Sequence, residues 1–74
     1  MLKTIKVSGY SDRMNAEMRC VTLEEGFEVY NQFLSSPYYH SGDISDLNTG
    51  ELYAYFEKSI EGNGIQVNTW TAVE

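Results

Sequence analysis

The segment from Thr22 to Pro37 constrains the fold more than any other stretch. Thr22 and Glu25 have the spacing of a capping box, in which the threonine oxygen accepts from a first-turn amide and the glutamate reaches back. Pro37 follows the end of the apolar pattern, where a helix must stop. Stepped at about 100° per residue, Leu23, Phe27, Val29, Tyr30, Phe33 and Leu34 fall within an arc of roughly 160°, and Glu24, Glu25, Glu28, Asn31 and Gln32 take the rest. The spacing predicts a helix over residues 23–35 with one apolar and one acidic face. Such a helix persists only if another element covers its apolar face. Gly26 in the first turn costs about 1 kcal/mol of helix propensity against Ala, which three glutamates near the positive end of the helix dipole offset.

The flanks read differently. Residues 2–9 place Ile5 and Val7 on one side and Thr4, Lys6 and Ser8 on the other, the period of a half-buried strand. Turn formers fill residues 10–15. Alternation then resumes with Ala16, Met18 and Cys20 against Glu17 and Arg19, so an antiparallel hairpin is expected. Residues 36–47 show no sustained period and read as a long loop, a length often tied to function. At the far end, Val67, Thr69, Thr71 and Val73 alternate with Gln66, Asn68, Trp70 and Ala72, which predicts a strand over 65–73.

Residues 48–62 decide the fold class. As a strand, Leu52, Ala54 and Phe56 alternate with Glu51, Tyr53, Tyr55 and Glu57, and Asn48-Thr49-Gly50 turns a hairpin. As a helix, Leu52, Tyr53, Tyr55, Phe56, Ser59 and Ile60 fill an arc of roughly 160° opposite Glu51, Ala54, Glu57, Lys58 and Glu61. Asn48 and Glu51 then supply the N-terminal cap, and Asn63-Gly64-Ile65 resembles a glycine C-cap. The helix accounts for more residues. The expected architecture is therefore α+β, in the order β-β-α-α-β, with a three-stranded antiparallel sheet covered on one face by two helices.

A chain of 74 residues has room for one hydrophobic core, so residues 1–74 form a single domain. Its 42% hydrophobic fraction and high aromatic content lie outside the range of disordered chains. Cys20 is the only cysteine, which rules out an intramolecular disulfide and a multi-cysteine zinc site. The opening residues develop no signal-like apolar run, and no stretch is long and apolar enough to span a bilayer. These features together predict a cytoplasmic protein.

Chemistry is sparsely represented. His40 is the only imidazole, and with Asp43 three residues on it would make a general base; a solvated loop histidine is the simpler account. Cys20 belongs to an alternating apolar set and reads as a small core residue. Asp43 and Asp46 lack the ligand spacing of a calcium loop. The glycines at 62 and 64 precede a strand and do not open a helix, as a phosphate loop requires. No catalytic residue, metal or cofactor is expected.

Charge carries the remaining information. Residues 1–23 carry a formal +2 and residues 24–74 carry −8, giving −6 overall. After Arg19 the only base is Lys58. Four bases beside eleven acids make a poor phosphate-binding surface, so direct nucleic-acid and membrane binding are not expected. Glu24, Glu25, Glu28, Asp43, Asp46, Glu57 and Glu61 instead suggest an acidic surface for a basic protein partner. Tyr38 and Tyr39 would serve beside it as amphipathic contact rings. The expectation is a non-enzymatic protein-binding module, most simply a small inhibitor that occupies a basic groove of a nucleic-acid-handling complex. In size and charge the chain is similar in style to phage-encoded anti-CRISPR and antirestriction proteins. The alternative is a homo-oligomeric structural or accessory subunit, such as a homodimer, built on a tyrosine-rich interface that includes Trp70, with the last strand pairing across a two-fold axis.

Overall fold

The computed structural model describes residues 2–72, apart from the side chain of Glu61. The elements run β1 (Ile5–Tyr10), β2 (Asn15–Cys20), α1 (Leu23–Ser35), β3 (Ser41–Asp46), β4 (Leu52–Glu61) and β5 (Gly64–Thr71). The five strands form one antiparallel sheet in the order β2-β1-β3-β4-β5. The first hairpin is as expected, in the register Ile5↔Cys20 through Tyr10↔Asn15. So is the helix. The Glu25 amide donates to Thr22 Oγ1 at 3.2 Å, and the Thr22 hydroxyl donates to Glu25 Oε1 at 3.2 Å.

The expected three-stranded sheet with two helices is wrong: five strands share the sheet and one helix covers it. Residues 52–61 are strand, because alternation governs their burial. Ala54 and Phe56 are fully buried while Tyr55 and Glu57 between and beside them are exposed. What makes that strand possible is β3, inside the segment read as loop. Its sequence, Ser-Gly-Asp-Ile-Ser-Asp, offers a single large apolar residue, yet it lies between β1 and β4 and buries Ile44 completely. With β4 extended, Asn48 caps no helix. Asp46 instead accepts from the Asn48 amide at 2.8 Å and the Thr49 amide at 3.0 Å, fixing the turn in which Gly50 takes φ 77°. Gly62 and Asn63 are likewise a hairpin turn and not a helix end. They sit inside the closing pair Glu61↔Gly64, and Gly62 at φ 58° supplies the positive angle that a two-residue hairpin loop of this type needs. The strand expected over 65–73 is present as β5; Val73 lies outside the described residues.

Helix α1 packs on β1, β3 and β2. The core beneath it is Ile5, Val7, Cys20, Tyr30, Ile44, Ala54 and Phe56, flanked by Phe27, Phe33, Leu34, Tyr39 and Tyr53. The helix can sit this close because Gly26 faces the sheet. A Cβ there would lie 2.7 Å from Ile5 Cγ2 and 2.9 Å from Ile44 Cδ1. The glycine therefore has a packing reason beyond any propensity argument. Phe56 meets Tyr30 edge-on, with centroids 5.6 Å apart, and its ring fills the space over Gly42 where a side chain would stand.

The outer half of the sheet is uncovered. β3 pairs with β4 only as far as Ser41↔Glu57, so residues 58–61 and 64–67 continue as a two-stranded arm. The molecule is accordingly elongated, with extents of 45 × 29 × 18 Å. Every residue of β5 is exposed.

Candidate functional site

The acidic residues divide between two faces of the domain. Glu24, Glu25 and Glu28 stand exposed on α1, on the side away from the sheet. The helix carries no base in its last turn. Asp43 and Glu57 lie on the opposite side, because Val7, Ile44, Ala54 and Phe56 take the helix side and strand neighbours alternate. Glu57 and Glu61 are four apart in a strand, about 13 Å along it, where a helix would have put them at about 6 Å. The side chain of Glu61 lies outside the described residues. Asp46 is committed to its own turn and also accepts from the Tyr53 hydroxyl at 3.3 Å.

Of the five lysines and arginines, Arg19 and Lys58 make close polar contacts among the described residues. Arg19 Nε pairs with Glu17 at 3.0 Å, and Lys58 Nζ donates to the Ser36 carbonyl at 2.6 Å, where it also meets the negative end of α1. His40 Nε2 lies 3.5 Å from Asp12 Oδ1, not beside Asp43. Among the described residues these are the close partners of those three groups. Glu24, Glu25, Glu28, Glu51 and Glu57 have no cation within 4.0 Å among the described residues.

Local environment moves two carboxyl groups in opposite directions. Asp43 sits between Ser8 and Tyr55 on the open sheet face, accepting from the Tyr10 hydroxyl at 3.4 Å. Burial raises it above the ordinary 3.8, against the opposing pull of the Lys6 ammonium and the Tyr10 bond. Asp46 is held below 3.8, first by the Thr49 amide and then by that of Asn48. Burial, together with the charge of Asp46, pushes the Tyr53 hydroxyl up.

The aromatic residues separate into roles that their sequence positions do not reveal. Tyr39 packs edge-on against Phe33 at 4.8 Å, and Tyr53 packs against the core. Tyr38 is 80% exposed. It lines, with Tyr39, His40, Lys58, Ile60 and Ile65, an open groove of about 470 Å³ between the chain after α1 and the β4–β5 arm. On the other face Tyr55 stacks on Trp70 at 5.8 Å, with both rings partly exposed. The apolar arm is not legible in the sequence, because a helical reading of residues 48–62 puts Ile60 on a helix face and Ile65 in its cap. Paired across the hairpin, they stand 84% and 68% exposed.

Cys20 is buried, as its alternating pattern implied. Among the described residues no three His, Cys, Asp or Glu side chains are grouped to hold a metal ion, and no helix is long and apolar enough to cross a membrane. No family model, curated protein or solved structure matches this chain.

Proposed function

We propose that this chain is a non-enzymatic protein-binding module that presents the acidic face of α1 to a basic protein surface. The observation that carries the reading is the set Glu24, Glu25 and Glu28, all exposed on one helix, with no cation among the described residues within 4.0 Å of any of them. Carboxylates left unpaired on a fixed scaffold keep their full field for a partner, steer encounter and favour a lysine- and arginine-lined groove. A nucleic-acid-handling protein offers such a groove, so an inhibitor that competes with phosphate backbones is the biological form we favour. Tyr38, exposed beyond the C-terminal end of the same helix, adds an amphipathic ring. The acids on the other side of the sheet, Asp43 and Glu57, would meet a partner only from the opposite direction and are not part of this face.

The test compares the tagged wild-type protein with a Glu24→Gln, Glu25→Gln, Glu28→Gln variant in affinity capture from host lysate at low and high salt. Glutamine at position 25 preserves the capping box, and losing charge near the helix start costs only about 0.3–1 kcal/mol per residue. The expected result is a basic protein that the wild type captures, releases as salt rises, and that the variant fails to capture. Equal capture by the triple variant would show that the acidic face is only a solvated surface.

A further inference from the structure

We propose that β5 is a self-association edge: it pairs antiparallel with β5 of a second copy about a two-fold axis at Asn68, joining two sheets into one of ten strands. Three observations lead there. The first is backbone direction. The Ala72 amide donates to the Tyr53 carbonyl at 2.8 Å and the Lys58 amide to the His40 carbonyl at 2.7 Å. Because ladder bonding in antiparallel strands alternates residue by residue, the even-numbered residues of β5 bond to β4. Ile65, Val67, Thr69 and Thr71 then turn their N–H and C=O groups outward from the edge.

The second observation is charge. β1 carries Lys6, β2 carries Glu17 and Arg19, β3 carries Asp43 and Asp46, and β4 carries Glu57, Lys58 and Glu61, whereas Gly64–Thr71 has no charged residue. Two copies of a chain with formal charge −6 repel. A contact through β5 brings together the one strand that adds nothing to that repulsion. The third is the lack of protection. Natural edge strands are blunted by charge, proline, bulges or shortness. The opposite edge, β2, is six residues long and charged, while β5 has eight residues in unbroken register and none of these devices.

Geometry then selects the register. Across a two-fold axis normal to the sheet, facing residues share a side, so their numbers have equal parity. The pairing that uses all four outward residues is Ile65 with Thr71 and Val67 with Thr69, repeated by symmetry. Each such pair exchanges two bonds, making about eight in all. Asn68 then faces its own copy as a non-hydrogen-bonded pair. Ile65 reaches Thr71 of the second copy, whose own neighbour on β4 is the buried Ala54. Trp70, 43% exposed in the single chain, comes opposite Gln66 on the open face.

This inference does not rest on the acidic-face reading, and its experiment uses no external partner. Sedimentation equilibrium of the wild type should give twice the chain mass of 8.4 kDa. Thr69→Pro removes an N–H that points away from β4, a position where a strand tolerates proline. It should yield a folded monomer by circular dichroism. Val67→Glu, which places like charges beside the axis, should do the same without touching the backbone. Asn68→Cys should form a disulfide-linked dimer on mild oxidation, since non-hydrogen-bonded antiparallel pairs bring Cβ atoms within bridging distance. Asn31→Cys, on the exposed face of α1, is the control. A wild type that sediments as a monomer, a Thr69→Pro and Val67→Glu pair that both remain dimeric, or an Asn68→Cys that crosslinks no faster than Asn31→Cys would overturn the proposal.

Discussion

Gly26→Ala sets two effects of known sign against each other. An isolated helix gains about 1 kcal/mol when an interior glycine becomes alanine, so propensity alone predicts a more stable protein. The contact predicts the reverse. Carbon atoms pack at about 3.5–4.0 Å, and the new Cβ would stand 2.7 Å from Ile5 Cγ2 and 2.9 Å from Ile44 Cδ1. Ile44 can turn its terminal methyl aside, but Ile5 Cγ2 is fixed to the branch point. The Ile5 backbone is held on both sides, by Cys20 of β2 and Asp46 of β3. The helix must therefore lift, and a gap of about 0.5–1 Å forfeits a quarter to a half of each dispersion contact it had. Overpacking of this kind costs about 1–3 kcal/mol. The net expectation is a loss of about 1 kcal/mol, read as a Tm lower by about 4–8 °C for a domain of this size. Circular-dichroism melts and urea titrations at matched protein concentration measure it. Asn31→Ala, exposed on the same helix, supplies the control: propensity acts there without the contact, and stability should rise by about 0.5 kcal/mol. If Gly26→Ala melted above the wild type, the close approach of α1 to the sheet would not be what position 26 serves.

Two further predictions concern pH. Asp46 is held below 3.8 by its turn amides, so its folded-state pKa is depressed. The stability it adds is complete above the unfolded value and disappears as pH falls through the folded one. Asp46→Asn should accordingly unfold at lower urea than the wild type at neutral pH, with the two curves converging in acid; a gap independent of pH would disprove the assignment. Asp43 is displaced upward by burial. The folded state holds its proton more tightly than the unfolded chain, so the ionised group costs stability above the folded pKa, and that cost is relieved as pH drops below 3.8. Asp43→Asn should be more stable than the wild type at neutral pH and indistinguishable from it in strong acid, while a less stable variant at pH 7 would mean that the Lys6 attraction outweighs burial.

Much of the helix-side half of the molecule was legible in the chain. The Thr22–Glu25 box, the apolar arc from Leu23 to Leu34 and the alternation through Ile5, Val7 and Cys20 each act between near neighbours, and near neighbours are what a sequence displays. The outer half depended on a strand that local pattern does not announce. β3 has Ile44 as its one large apolar side chain, and Gly42, a poor strand former, belongs there because the Phe56 ring occupies the space above it. Without β3 there was no partner for residues 52–61, and their aromatics fit a helical arc as well as a pleat. The acidic positions on α1 emerged where the pattern placed them. Glu57 did not, since changing helix to strand moves it to the far side of the sheet. The exposed arm was hidden for the same reason, as Ile60 and Ile65 become neighbours only when the chain turns at Gly62.

The position of β1 governs how the fold comes apart. It is the first strand of the chain yet lies inside the sheet, bonded to β2 by a short loop and to β3 across the whole of α1. The β1–β2 hairpin and the β3–β4–β5 meander are each closed by local turns, and they are sewn together at the single ladder from Ile5↔Asp46 to Tyr10↔Ser41. Breaking that seam releases both halves and uncovers Val7 and Ile44 at once, so it opens only with the whole molecule. Amide protons along it should be the last to exchange with deuterated solvent. Those of Ile65, Val67, Thr69 and Thr71 should be among the first in the strands of a single copy, and in a paired β5 they would join the slow set.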